Sequence, residues 1–286
     1  MLNPNKIILG TAQFDGIYGI SNNKKLSDKA VEKIIIHSLN KGIKQLEICS
    51  SYGKSQDKIV YILKKKNLSK KIEIIYKFDK ITKSELSYLH LFKNEFKLSS
   101  IFAHSSNFFL SKKFQELIDR FKNEKIKVGV SIYEKKELEK ILKEKKIPDF
   151  IQIPFNIFNK TFDDNNLEKK LKKKKIKIHL RSIFNQGLIF LNNKFLKKKF
   201  PSEFKNLYLI KKEIKNYKEN IFSLSVNYVF QKLKFEKILI GVVNYNQINE
   251  ILNLNIKKID KNLLYFLDNY KFKSEAIKDP RKWKKK

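Results

Sequence analysis

Short apolar runs and longer amphipathic stretches alternate along the chain. "KIILGTAQF" (6–14) reads as a buried strand, and "DKAVEKIIIHSLNKG" (28–42) as a helix whose apolar residues recur every three to four positions and which stops at Gly42. The pairing then repeats. "IKQLEIC" precedes "SQDKIVYILKKK", "IEIIYKF" (72–78) precedes "KSELSYLHLFKNEF", and "SIFAH" (100–104) precedes "KKFQELIDRFKNEK". "KVGVSIY" (127–133), "FIQIPFN" (150–156) and "KIHLRSIF" (177–184) each lead into a helical pattern, the last a long one ending near Lys232. "KILIG" (237–241) and "NQINEILN" complete the series.

Strands that are near-continuously apolar are buried on both faces, as parallel strands in an α/β protein are. Eight strand-then-helix units predict a single (β/α)8 TIM barrel. The alternative is a doubly wound open sheet, which usually carries a Gly-rich first turn; "LGTAQF" holds no G-x-G-x-x-G. With 286 residues, 42% of them hydrophobic, and only five prolines and eight glycines, the chain shows no linker. One domain over 1–286 is expected, with 270–286 as a basic C-terminal tail.

The formal charge of +34 invites a nucleic-acid reading. Of the 63 Lys and Arg residues, however, only Arg120, Arg181 and Arg281 are arginines, and arginine dominates base and phosphate readout. The lysines spread over nearly every helix, densest at Lys172–Lys175, Lys197–Lys199 and Lys284–Lys286. Solvated helix faces with weak, salt-sensitive polyanion binding are expected, and no specific nucleic-acid partner. The lone Cys49 cannot form an internal disulfide, which fits a reducing cytoplasmic setting. No run approaches the roughly 18 apolar residues of a membrane span. The first residues lack the pattern of a signal peptide. No metal site and no oligomeric state can be read.

Chemistry in a barrel sits at the C-terminal strand ends and the loops beyond them. The second strand ends near Glu47, with Tyr52 on its loop; the third ends near Lys77 and the fourth near His104. The fifth offers Ser131, the sixth Gln152 and Asn156, the seventh Arg181 and Ser182, and the eighth the loop after Gly241. A lysine beside a phenol favours the phenolate and lowers the tyrosine pKa. A carboxylate can anchor that lysine, and a histidine can hold a carbonyl oxygen in line. The set suits protonation of a carbonyl oxygen while hydride arrives at carbon, for which a nicotinamide is required.

"LGTAQFDGIYGISN", "SSYGKSQ", "YKF", "IFAH", "GVSIY", "FIQIPFN", "RSIFNQG" and "GVVNYNQINEIL" stand in the order and spacing of the aldo-keto reductases, which the chain resembles over essentially its whole length. The closing "DPRKW" is similar to the tail of a bacterial subgroup associated with cell-surface sugar pathways. The resemblance implies a TIM barrel, NADPH, a small-molecule carbonyl substrate and an Asp-Tyr-Lys-His tetrad. Carried over, Tyr52 is the proton donor, Lys77 its activator and His104 the substrate-orienting residue. Glu47 stands in place of the aspartate, one methylene longer, and a partial loss of activity is expected from it.

Ser131 and Gln152 match positions that hold the nicotinamide carboxamide, and Arg181 stands where an aromatic ring commonly stacks on the nicotinamide. Ser182 and Gly241 are assigned to the cofactor with them, and Gln247 and Glu250 match further contacts. Val243 replaces a residue that would bond the 2′-phosphate, and no Lys or Arg occurs between Gly241 and Ile256, so NADH is the alternative to NADPH. Phe14 and Tyr18 either line the substrate pocket or cover the barrel rim. His179 is expected in the core. Two other functions compete: an impaired barrel that binds cofactor in a regulatory role, and a polyanion-binding protein.

Overall fold

The computed structural model describes residues 2–15, 18–20, 25–121, 124–270, 272 and 274–283. The basic run at 284–286 and parts of the first loop, at 16–17 and 21–24, lie outside the described residues. Eight strands pair in parallel and in sequence order, and β8 closes back on β1. They are β1 Ile7–Gly10, β2 Gln45–Cys49, β3 Glu73–Phe78, β4 Lys97–Ala103, β5 Lys127–Ser131, β6 Phe150–Pro154, β7 Lys177–Arg181 and β8 Lys237–Gly241. With helices between successive strands, this is the (β/α)8 TIM barrel expected of the alternating pattern, and the open sheet is excluded.

The first helix shows why the boundaries fall where they do. The Ser27 side chain accepts from the Ala30 backbone N–H, and Val31, Ile34 and Ile35 form the buried stripe of Asp28–Asn40. Gly42 then takes φ +88°, the left-handed conformation that ends a helix cheaply only at glycine. The structure departs from the sequence reading after β7. That strand stops at Arg181 because Ser182 turns to φ +57°, followed by left-handed Asn185, Gln186 and Gly187. The long helical stretch is divided among Asn193–Lys199, Phe204–Asn216 and Ile221–Lys232. No helix of the described residues is long and apolar enough to cross a membrane.

Side chains alternate across each strand and sort the barrel into two cores. Residues such as Leu46, Ile48, Ile74, Tyr76, Ile151 and Ile153 face outward into the large cluster shared with the helices. Ile8, Ile75 and Phe102 form a separate interior cluster with Phe150 and Leu239. Gly129 leaves room for it: a Cβ there would lie 2.3 Å from the Phe102 ring.

His179 completes this interior layer, stacked on Phe150 at 4.5 Å and Phe102 at 5.7 Å, with both ring nitrogens buried and unpartnered. Burial, aided by Lys237 and Lys177, pushes its pKa down to about 3. The unfolded chain therefore takes up this proton first as pH falls below about 6.5, and stability falls by about 1.4 kcal/mol per pH unit until the folded pKa is reached. His179→Leu is expected to remove about 2 kcal/mol of the stability difference between pH 7.5 and 5.0. Urea unfolding at the two pH values measures it, and an unchanged difference would show that His179 does not titrate in this way.

Candidate active site

Glu47, Lys77 and Gln152 form a closed ring at the upper end of the barrel interior. Lys77 Nζ donates to Glu47 Oε1 at 2.5 Å and to Gln152 Oε1 at 3.1 Å, and Gln152 Nε2 donates to Glu47 Oε2 at 2.5 Å. Glu47 is fully buried and Lys77 is 2% exposed. The carboxylate thus has a cation on one oxygen and an amide on the other, the full satisfaction that a buried ion pair needs. The extra methylene of glutamate is used to reach across the barrel to β6. An aspartate would draw the carboxylate back by about 1.5 Å. Glu47→Asp is accordingly expected to lose one of the two contacts, lowering stability by about 1–3 kcal/mol and activity with it. Thermal melts and steady-state rates of this variant decide; an active, equally stable protein would show that the longer side chain is dispensable.

Tyr52 stands above the ring, with the Lys77 ammonium 5.7 Å from its ring centroid. The loop that carries it is pinned at both ends. The Tyr52 backbone N–H donates to the Cys49 carbonyl, and Asp15, on the loop after β1, accepts from the Lys54 N–H at 2.8 Å. Gly53 takes φ +64° between them, and a Cβ there would come within 2.8 Å of Asp15 Oδ2. The phenol does not behave as the residue types suggest. Burial, reinforced by Cys49 and Glu47, raises the Tyr52 pKa well above the ordinary tyrosine value instead of lowering it. Lys77 has its charge balanced by Glu47, so desolvation decides the direction.

His104, just beyond β4, is partly buried, with Nδ1 at 3.4 Å from Ser51 Oγ and 3.9 Å from Cys49 Sγ. Burial and the charges of Lys77 and Arg181 push its pKa down to about 3, so the imidazole is neutral at pH 7. In the tautomer that accepts from the Ser51 hydroxyl at Nδ1, Nε2 carries the hydrogen and can donate to a ligand. The four residues Glu47, Tyr52, Lys77 and His104 therefore meet at one end of the barrel, as the strand ends suggested.

A cavity of about 790 Å³ opens beside Tyr52 and runs over the ends of β7, β8 and β1 to Glu250 and Leu254. Arg181, Ser182, Gly241, Gln247 and Glu250 all line it, as does Tyr18, whose phenol is pushed up to about 12 chiefly by burial. Phe14, by contrast, is a core residue. Gln247 Oε1 accepts from the Val243 N–H, which ties down the loop after β8.

Ser131 and Gln152 are not among the lining residues. Gln152 is committed to Glu47 and Lys77, and Ser131 Oγ accepts from Arg181 Nε at 3.2 Å. Arg181 also donates to the Ile132 carbonyl, and its guanidinium lies 4.0 Å from the Tyr133 ring centroid. Arg281, from the C-terminal segment, stacks on the same ring at 3.5 Å.

Four residues escaped the sequence reading. Asp15, Tyr133 and Arg281 carry no local signal. Gln13, in the quoted "LGTAQF", lines the cavity with a buried Oε1 that has no hydrogen-bond partner, and a Cβ on Gly241 would lie 2.2 Å from it. Among the described residues, no group of three or more His, Cys, Asp or Glu is placed to hold a metal ion.

The geometry agrees with what the comparisons with known proteins find. Residues 6–264 match the model of the aldo/keto reductase family. No curated protein matches the chain. A solved structure of a thermostable aldo-keto reductase, Tm1743, in complex with the inhibitor epalrestat shares 15% identity at a TM-score of 0.63, over 93% of this chain and 95% of that one. The aldo-keto reductase AKR2E5 of the silkworm Bombyx mori shares 12% at 0.62, over 93% and 83%. Identities this low speak for the barrel alone, whereas the family match spans nearly the whole barrel: the chain belongs to the aldo/keto reductase family.

Proposed function

We propose that the protein reduces an aldehyde or ketone with a hydride from NADPH or NADH, with Tyr52 as proton donor. The observation that carries this reading is Tyr52 on the wall of one large cavity, beside the buried Lys77–Glu47 pair and at the same end of the barrel as His104. The cavity, at about 790 Å³, lies within the roughly 300–1,000 Å³ typical of cofactor and ligand sites. Its wall contains the unpartnered Gln13 Oε1, an acceptor that suits an amide or hydroxyl donor of such a group. Gln13, Ser182, Gly241, Gln247 and Glu250 would hold the cofactor, which when bound supplies the hydride.

The protein's own part is to orient the carbonyl and deliver the proton. The neutral His104 donates from Nε2 to the carbonyl oxygen and so sets its direction. Tyr52, protonated throughout the neutral range, gives its proton to that oxygen as negative charge builds up. Lys77, fixed by Glu47 and Gln152, stabilises the phenolate left behind. A raised phenol pKa makes Tyr52 a weak acid, so the proton moves late, once the oxygen has become strongly basic.

The same observation favours a second reading, in which the site binds cofactor but turns over poorly. Consumption of NADPH or NADH with a reactive aromatic aldehyde, followed at 340 nm, tests the two. Turnover supports the reductase, with Glu47 serving in place of a shorter carboxylate. A flat trace with cofactor bound would support the second reading. A sugar-derived carbonyl as the natural substrate rests on the "DPRKW" resemblance.

A further inference from the structure

Arg181 is a buried cation with no counter-ion among the described residues. It is 8% exposed, lines the large cavity together with Tyr18 and Tyr52, and among the described residues forms no ion pair with any carboxylate. Its partners among the described residues are all uncharged: the Ser131 hydroxyl, the Ile132 carbonyl and the face of Tyr133. Of its five N–H groups these two hydrogen bonds use two. The second guanidinium stacked on Tyr133 differs in this respect, because Arg281 is held by Asp279 through Nε at 2.9 Å and Nη2 at 2.7 Å.

The surroundings do not supply the missing charge. Glu47 is balanced by Lys77, and His104 is neutral. The carboxylate on the cavity wall, Glu250, forms no ion pair with Arg181 among the described residues, so the guanidinium has no bonded anion. Burying an unpaired cation is costly, and a chain with 63 Lys and Arg residues of which three are Arg has placed a planar, always-charged group here. A guanidinium is the side chain that matches a carboxylate through two parallel hydrogen bonds.

A place under the nicotinamide ring suits Arg181 less well. The ring becomes positive as hydride leaves, and a cation against it would oppose that change. We propose that Arg181 anchors a carboxylate of the substrate, so that the carbonyl compound reduced at Tyr52 is an oxo acid or a carboxylate-bearing aldehyde. This rests on the reductase reading above and narrows its substrate class.

The test compares the three carboxybenzaldehyde isomers with their methyl esters, which keep the shape and lose the charge. For the isomer whose spacing fits best, the acid is expected to exceed its ester about tenfold or more in kcat/KM, mainly through KM. Arg181→Met should bring that ratio to about one, and Arg181→Lys should restore part of it. Affinity for NADPH and NADH, measured by the fluorescence of the bound nicotinamide, should stay within about twofold in both variants. An acid-to-ester ratio unaffected by Arg181→Met would overturn the proposal. So would a loss of cofactor affinity matching the loss of rate, because the anion would then be a cofactor phosphate.

Absence of turnover on every substrate would count against the reductase reading. Calorimetric titration with benzoate and benzamide then decides the anion site separately. Benzoate binding to the native protein that is absent for benzamide, and lost in Arg181→Met, supports the site; equal binding of both, or of neither, overturns it.

Discussion

Replacing Tyr52 with phenylalanine is expected to lower turnover about a thousandfold while leaving the fold and cofactor affinity intact. The ring of Tyr52 packs beside Tyr18 at 6.0 Å and over the Lys77 ammonium, contacts that phenylalanine keeps. Only the hydroxyl is lost, and with it the proton that the carbonyl oxygen needs. The neutral His104 cannot replace it, since an imidazole whose proton-accepting form persists down to about pH 3 is a poor acid at pH 7. Because Tyr52 stays protonated far above neutrality, the native enzyme should show no titration of this residue between pH 6 and 9. Steady-state rates with NADPH and an aromatic aldehyde measure the first effect, and their pH profile the second. A phenylalanine variant as active as the native protein would move the proton donor elsewhere.

Lys77→Met is expected to cost about 3–5 kcal/mol of stability as well as activity. Removing the ammonium leaves the fully buried Glu47 carboxylate with only the Gln152 amide, and an uncompensated charge at that depth must either protonate or unfold the barrel end. Adding Glu47→Gln removes the stranded charge, so the double variant should recover most of the stability and none of the turnover. Urea unfolding and rates on the single and double variants separate the two roles. If the double variant is as unstable as the single, the loss arises from packing of the lysine stem and not from the charge.

The ring of Glu47, Lys77 and Gln152 shows where sequence reading reaches and where it stops. Glu47 and Lys77 were visible because each is a charge at the end of an apolar strand, a position where burial has to be justified by a partner. Gln152 was visible as a polar residue at a strand end, but its partner was not. It reaches a residue 105 positions earlier, and the barrel closure that brings β6 opposite β2 has no local signature. The helical pattern after β7 likewise reads as one element in the sequence. Its breaks fall at Phe200, which leaves helical geometry just before Pro201, and at left-handed Lys218, a non-glycine position where tertiary packing overrides local preference.

By itself the sequence determined the alternation of strands and helices, and hence the barrel, because a side-chain period of two or of 3.6 is a local property that burial makes regular. It also determined which reactive side chains stand at the strand ends, since those positions follow from the strand boundaries. The tertiary structure alone decided what each of them does. Burial set the direction of the Tyr52, His104 and His179 pKa values, because desolvation depends on everything packed around a group. It also gave Glu47 two partners and Arg281 a carboxylate while leaving Arg181 with none among the described residues, since charge balance in a low-dielectric interior is settled by neighbours in space and not by neighbours in the chain.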